Sequence, residues 1–190
     1  MKRSKAETAE THKNIVETAS RLFRRDGIHA TGVAEIMTAA GLTHGGFYRH
    51  FASKDQLVAE AFGAGSEALH QTVEAAVGDK IGKRAVRAIV DNYLAPKHRD
   101  HPGTGCPFAS MGAELARADG DTRAAVTSAF AKLADAIAEQ MLEKKPGTAR
   151  SDAMFMLSAM IGALTMARAV DDPKLSKSIL RSAKEHLADG

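Results

Sequence analysis

Apolar residues recur three and four positions apart along nearly all of this 190-residue chain, and no stretch alternates with the period of two that a half-buried strand needs. The first segment carries one apolar stripe of the kind that an amphipathic helix buries, formed by Ile15, Ala19, Leu22 and Phe23. Gly27 follows this stripe as a helix stop. The same pattern along the rest of the chain predicts about nine helices and no strand, which is an all-α fold.

The composition is that of a globular chain, with 44% hydrophobic and 26% charged residues. No uncharged apolar run reaches the roughly 20 residues of a membrane helix, and the polar N-terminus lacks the apolar segment of a signal peptide. A single cysteine, Cys106, excludes an internal disulfide and fits a reducing compartment. We therefore expect a cytoplasmic protein that does not insert into a membrane.

Positive charge is concentrated in the first quarter of the chain. Residues 1–54 hold nine lysines and arginines against five acidic residues, whereas the remainder holds 17 against 18. A polyanionic partner is therefore expected at the N-terminal segment. A solvated basic segment without a partner is the alternative that charge alone leaves open.

Three short helices are predicted within the N-terminal segment. The second runs from about Val33 to Ala40 and ends at Gly41, and a third begins after Thr43, which is well placed as an N-cap. The tight connection between these two helices is typical of a helix-turn-helix, whose last helix enters the major groove of DNA. A capping box over 53–56 then predicts the start of a fourth helix.

The third helix has two different faces. Phe47 and Phe51 are four residues apart and are expected to pack inward. Gly46 is expected to pack against the second helix, and Gly45 to let the backbone approach a duplex without a side chain in the way. The outward face carries small or polar residues suited to contact DNA: His44, Gly45, Tyr48 and Arg49.

The segment from 15 to 62 resembles the N-terminal DNA-binding domain of TetR-family transcriptional regulators. The resemblance rests on the combined spacing of Ala19, Phe23, Gly27, Thr31, Ile36, Ala40, Gly41, Tyr48, His50, Phe51, Lys54 and Leu57. It implies a homodimeric repressor that binds a palindromic operator. It also implies a helix-turn-helix DNA-binding domain over 10–56, followed over 57–190 by a helical bundle for ligand binding and dimerisation.

The resemblance also implies roles for individual residues of the DNA-binding domain. Thr43, His44 and Gly45 would lie at base edges or the adjacent backbone, where sequence is read. Tyr48, His50 and Lys54 would lie on phosphates, which set affinity and register. Thr31, at the N-terminus of the second helix, would be a further contact to DNA.

A helix predicted over 151–170 is apolar nearly all round and is therefore expected to be buried. Together with the last helix it would form a four-helix bundle across a two-fold axis, as the resemblance suggests. A central core helix within one subunit is the alternative. The residues expected at the dimer interface are Ala159, Gly162, Ala163, Ala167, Leu175, Ile179 and Ala183.

Cys106 is the sharpest candidate for effector sensing. It precedes Pro107, which suits the first position of a helix, so the thiol is expected at the N-cap and biased toward thiolate. One hypothesis is that oxidants or electrophiles modify Cys106 and release DNA; an inert cap is the alternative. The residues proposed to line the effector pocket with it are Phe108, Met111, Phe130, Phe155 and Met160.

The chain carries none of the common catalytic motifs. It has no phosphate-binding loop, no H-E-x-x-H, no G-x-S-x-G and no dinucleotide fingerprint, so we expect neither an enzyme nor a cofactor. His98, His101 and Cys106 match no metal-ligand pattern, and no metal is expected. The alternative function is a helical partner-binding protein whose helix-turn-helix no longer reads DNA.

Overall fold

The computed structural model describes residues 4–188, and within that range the protein consists of nine α-helices and two 3₁₀ helices, without a strand. The predicted all-α fold is therefore confirmed. Lys2 and Arg3, which contribute to the predicted basic excess, lie outside the described residues, as do residues 189 and 190. In chain order the helices are α1 (Lys5–Asp26), α2 (Val33–Ala39), the 3₁₀ helix η1 (His44–Arg49), α3 (Lys54–Val77), α4 (Lys83–Tyr93), α5 (Pro96–Asp100), the 3₁₀ helix η2 (Pro102–Thr104), α6 (Pro107–Leu115), α7 (Gly120–Ala138), α8 (Pro146–Ala169) and α9 (Pro173–Ala188).

Helix α1 begins and ends as its sequence dictates. Ser4 and Glu7 form a reciprocal capping box at its N-terminus. The predicted apolar stripe is buried against α3 and α2. Gly27 ends the helix with a φ of 93°, a left-handed conformation that favours glycine, and its N–H donates to the Phe23 carbonyl.

The predicted third helix forms as the 3₁₀ helix η1 rather than as an α-helix. Its two adjacent glycines have low helix propensity, and a segment of six residues gains little from α-helical hydrogen bonds. Thr43 takes the N-cap position, although its side chain makes no capping bond. Phe47 and Phe51 are both buried, and their rings stack with centroids 5.4 Å apart, which confirms the predicted inward face.

Helix α3 runs without interruption across the predicted domain boundary at residue 56. Ser53 is its N-cap, and the Ser53 hydroxyl accepts from the Gln56 N–H as predicted. The Gln56 side chain accepts from the N–H of Ala52 instead of that of Ser53. Because α3 packs against both α1 and α7, one helix belongs to the N-terminal and the C-terminal part of the fold.

The sequence also predicts a loop over 97–105 and a helix cap at Asp121, and these two boundaries and the predicted start at Ser151 were wrong. The stretch 97–105 is not a loop, because α5 and η2 occupy most of it. Pro96 and Pro102 are the first residues of these two short helices, a position that suits proline. Asp119, not Asp121, caps α7, and its carboxylate accepts from the Thr122 N–H at 2.8 Å. Helix α8 begins at Pro146, several residues before the predicted start at Ser151.

Helix α8 is buried on one side only, although its composition led us to expect full burial. Ala153 and Met160 are fully buried on the side that packs against α7 and α9. Phe155 and Met166 are 71% and 53% exposed on the other side. By length and composition alone α8 could cross a membrane, and within the described chain its buried side is covered by neighbouring helices.

Adjacent aromatic residues on η1 test the assignment of its two faces. Phe47→Ala should lower the free energy of unfolding by about 3–5 kcal/mol, because it removes a fully buried ring. Tyr48→Ala is the matched control, since the Tyr48 side chain is 72% exposed and its truncation leaves no cavity. Urea denaturation measures both values, and equal losses in the two variants would contradict the assignment.

Candidate DNA interface and effector region

The outward face of η1 is open to solvent. The side chains of His44, Tyr48 and Arg49 are exposed, and no atom lies within 4 Å of the position that a Cβ on Gly45 would occupy. A Cβ on Gly46 would instead lie 3.5 Å from the Met37 methyl group of α2, so the predicted packing of Gly46 is confirmed. A smooth, partly cationic surface therefore projects from the helix-turn-helix, with Thr43 exposed at its start.

His50 lies at the inner edge of this surface, in a group of rings that joins η1 to α1. The His50 ring is half-buried, and its centroid lies 6.0 Å from that of His12. His12 stacks on Phe51, and its Nε2 lies 2.6 Å from a Glu60 carboxylate oxygen of α3. These contacts fix the orientation of η1 against the two long helices.

Thr31 departs from its predicted role at the DNA interface. Its side chain is fully buried, and its hydroxyl donates to the Gly27 carbonyl at 2.7 Å. A buried hydroxyl that is already bonded cannot reach a phosphate. Thr31 therefore shapes the connection between α1 and α2 instead of contacting DNA.

Lys54 also has a structural partner that the sequence did not reveal. Its Nζ donates to the Ile28 carbonyl at 2.6 Å and lies 5.9 Å from the centroid of the Phe23 ring. The half-buried ammonium group thus holds the connection that leads into α2. The Lys54 ammonium already donates one of its protons to this backbone carbonyl. A contact between Lys54 and a phosphate stays a prediction.

Glu114 of α6 is a positioning residue that sequence reasoning missed. Its carboxylate accepts from the backbone N–H of Ile28 at 3.1 Å and from that of His29 at 2.8 Å. Both donors belong to the connection between α1 and α2. Helix α6 of the C-terminal part is therefore hydrogen-bonded directly to the helix-turn-helix, and no local sequence signal marks a contact across 86 positions.

Cys106 occupies the predicted N-cap of α6, but its environment opposes the predicted thiolate. The thiol is fully buried, and burial raises its pKa above the ordinary value. The backbone N–H groups at the helix start lower the pKa by less than burial raises it. The Tyr93 hydroxyl, itself buried, interacts with the thiol electrostatically but makes no hydrogen bond of ordinary geometry. The expectation of a thiolate bias was therefore wrong, because desolvation outweighs the helix end.

His98 holds the Cys106 segment through both of its ring nitrogens. The Cys106 N–H donates to Nε2 at 2.8 Å, and Nδ1 lies 2.7 Å from the Tyr93 carbonyl. This pattern requires a neutral ring with its proton on Nδ1. Burial lowers the pKa of His98 in agreement with that state. Within the described residues no group of three His, Cys, Asp or Glu side chains is arranged to hold a metal.

The proposed pocket residues are only partly brought together. The Phe108 ring packs edge-on against Phe62 and Phe130, with centroids 5.2 and 5.9 Å away. Met111 and Met160 are buried in the same continuous core. Phe155 lies elsewhere, exposed beside a cavity of about 450 Å³ that Lys83 and His186 also line.

The residues proposed for a dimer interface are at least partly exposed, with one exception. Gly162 and Leu175 are exposed, and Ile179 is half-exposed. Ala167 is buried, and its carbonyl accepts from the Ser176 hydroxyl of the same chain. Ala167 therefore faces the subunit interior and was wrongly predicted. Three further small residues on the two helices are partly exposed: Ala159, Ala163 and Ala183.

Comparison with known families agrees with this arrangement of a helix-turn-helix joined to a helical bundle. The model for bacterial regulatory proteins of the tetR family matches residues 15–61. The model for the C-terminal domain of LmrA/YxaF-like transcriptional regulators matches residues 83–186, which is more than half of the chain. The chain belongs to the TetR family. Its described helices thus comprise the DNA-binding segment and the C-terminal domain of a TetR-family regulator.

Individual relatives of this TetR-family chain differ in how much of it they cover. The HTH-type transcriptional regulator AcrR of Shigella flexneri is 41% identical over 59 residues, which is 31% of this chain and 27% of that protein. An HTH-type regulator of Mycobacterium tuberculosis is 25% identical over 164 residues, 82% of this chain and 83% of that protein. The crystal structure of a TetR regulator from Chloroflexus aurantiacus is 25% identical, with a TM-score of 0.80 over 97% of this chain and 95% of that one. The chain spans about a third or less of the length of several curated relatives.

Glu114→Gln tests the connection between the two parts of the fold. The amide offers one acceptor oxygen where the carboxylate offers two, and its NH₂ would face a backbone N–H. We expect the free energy of unfolding to fall by about 1–3 kcal/mol. Glu10→Gln, on the exposed start of α1, is the control. Urea denaturation would contradict the assignment if both variants matched the wild type.

The raised pKa of Cys106 predicts a loss of stability in alkali. The unfolded thiol ionises near pH 8.5, before the buried thiol does, so this contribution to stability is complete below about pH 8.5 and is lost above it. We expect the stability difference between the wild type and Cys106→Ala to change in favour of the variant between about pH 7.5 and 9.5, by at most about 1.4 kcal/mol for each pH unit. A difference that stays constant with pH would contradict the burial of a neutral thiol.

Proposed function

We propose that this TetR-family protein is a transcriptional repressor that binds a palindromic operator as a homodimer and releases it when an effector binds. The observation that carries the proposal is the outward face of η1, where His44, Gly45, Tyr48 and Arg49 are exposed above a buried Phe47. Its cationic and polar groups are suited to a major groove, and Gly45 offers close backbone approach. The protein would act in the cytoplasm, without catalysis or a cofactor.

Dimerisation is proposed through α8 and α9. Their exposed apolar side chains include Phe155, Met166 and Leu175, and small residues between them admit close helix contact. A soluble monomer seldom exposes such a face. A two-fold pairing of this face would place two copies of η1 for two operator half-sites.

The effector response is proposed to pass through α6. This helix carries Cys106 at its N-terminus and Glu114 near its C-terminus, where Glu114 is bonded to the connection before α2. A ligand or modification that shifts α6 would therefore move the helix-turn-helix. An electrophile would have to reach a buried thiol, so reaction at Cys106 requires a local opening of the structure.

Two substitutions on η1 test DNA binding. Arg49→Gln should weaken binding to all DNA and reduce the slope of log affinity against log salt by about 1, since it removes an exposed cation of η1 that we assign to a phosphate. His44→Ala should instead alter sequence preference in a binding-site selection. Arg117→Gln, an exposed arginine after α6, is the control for net charge.

Fluorescence anisotropy with labelled duplexes measures both effects. A sequence preference that survives His44→Ala unchanged would contradict the assignment of the reading face. Binding that is insensitive to salt and sequence in the wild type would favour the alternative of a helical partner-binding protein.

Two exposed helical glycines test the dimer. No atom lies within 4 Å of a Cβ built on Gly162 of α8 or on Gly63 of α3, so both sites tolerate a side chain within one subunit. Gly162→Glu should give monomers in sedimentation velocity, because it places a charge on each side of the proposed two-fold interface. Gly63→Glu should remain dimeric, and dimers in both variants would contradict the proposed face.

A further inference from the structure

Two guanidinium groups, one buried and one partly buried, have no carboxylate partner within ion-pair distance. Arg24, in the last turn of α1, is 9% exposed, and it donates to the carbonyls of Ser20 and Gly105 at 2.9 and 2.8 Å. Both acceptors are neutral. Burial of a charge without a counter-ion is costly, and here it lowers the pKa of Arg24.

Arg168 of α8 has the same character. Its guanidinium donates to the carbonyls of Arg99 and His98 at 3.1 and 2.7 Å and to the Ser110 hydroxyl at 3.0 Å. All three acceptors are neutral, and no carboxylate of the described chain lies within ion-pair distance. Burial also lowers the pKa of Arg168. Neither Arg168 nor Arg24 is therefore ion-paired within the described fold, and Asp100 attracts Arg168 only from beyond ion-pair distance.

Both groups line one cleft of about 660 Å³, which we call the arginine cleft. Arg25 and Arg99 also line it, each ion-paired with the aspartate that follows it in the chain. Asp26 and Asp100 pair with these two arginines, so Arg24 and Arg168 are left with one further aspartate of the lining, Asp171, which is ion-paired with neither. The remaining polar groups of the lining are hydroxyls, from Ser110, Thr165 and Ser176.

We propose that the arginine cleft binds a small anion through a carboxylate or phosphate group placed at Arg24 and Arg168. Guanidinium groups present paired N–H donors that match either kind of group. The Ser110 hydroxyl accepts from Arg168 and can donate its own proton to a remaining oxygen, whereas the Thr165 and Ser176 hydroxyls already donate to backbone carbonyls. The volume suits a molecule the size of a metabolite.

The position of the cleft favours a small molecule over nucleic acid. Its walls come from the last turn of α1, from α5, η2, α6 and α8, and from the start of α9. Neither α2 nor η1 contributes to it. Because the cleft joins α1 to the C-terminal helices, an anion bound there would act as an effector, and that consequence alone rests on the proposed function.

Calorimetric titration of the DNA-free full chain tests the site, with inorganic phosphate and acetate as separate probes at constant ionic strength. We expect one saturable site per chain for at least one probe. Which probe binds distinguishes a phosphate ligand from a carboxylate ligand. Arg25→Gln should weaken binding about tenfold, because it removes one positive charge from the lining and leaves the Asp26 carboxylate without its ion pair beside the cleft. Arg150→Gln is the matched control, since Arg25 and Arg150 are each 54% exposed and each is ion-paired with an aspartate.

Arg168→Gln should abolish binding in a protein whose circular dichroism is unchanged; if that variant does not fold, Arg25→Gln and its control still decide the question. Absence of saturable binding for both probes would overturn the proposal. So would equal weakening in Arg25→Gln and Arg150→Gln, or weakening in Arg49→Gln, which would place the anion on the DNA-reading face.

DNA binding is measured separately. A chain that binds phosphate but no DNA contradicts the proposed function while supporting the cleft, and a chain that binds DNA but neither probe overturns the cleft alone.

Discussion

The end of α1 is fixed by charged side chains that bond backbone groups belonging to the other part of the fold. The Glu114 carboxylate accepts from two N–H groups that follow α1, and the Arg24 guanidinium donates to the carbonyl of Gly105. Lys54 adds a bond to the Ile28 carbonyl from α3. An unsatisfied buried backbone group is costly, so these bonds constrain where the helix-turn-helix can sit.

This arrangement explains why the helix-turn-helix and the C-terminal helices cannot behave as independent bodies. Helix α3 is continuous through both, and α6 contributes Glu114 to the connection before α2. A change in α6 therefore alters the bonds that position α2 and η1. The coupling depends on a few directional contacts at one end of α1, because a hydrogen bond is lost over a much smaller displacement than apolar packing.

Local features of the fold could be predicted from the sequence, since the residues that determine them are close together in the chain. Gly27 ends α1 and Phe47 packs inward for reasons visible within a few positions. Long-range partners could not be predicted in this way. Thr31 and Lys54 match a family motif, but the motif does not indicate that their polar atoms bond Gly27 and Ile28. The composition of α8 likewise does not distinguish a side buried within one subunit from the exposed side that carries Phe155.

The neutral ring of His98 gives the segment beside the arginine cleft a dependence on acid. Its Nε2 accepts the N–H of Cys106, so a second proton on the ring would set two N–H groups against each other. Arg24 and Arg168 lie near enough to disfavour that proton further. The stability that this hydrogen bond contributes is complete at pH values above the ordinary pKa of histidine, and it is lost as the pH falls below that value. Acidification would therefore break the bond that His98 makes to Cys106, next to the Gly105 carbonyl that accepts from Arg24.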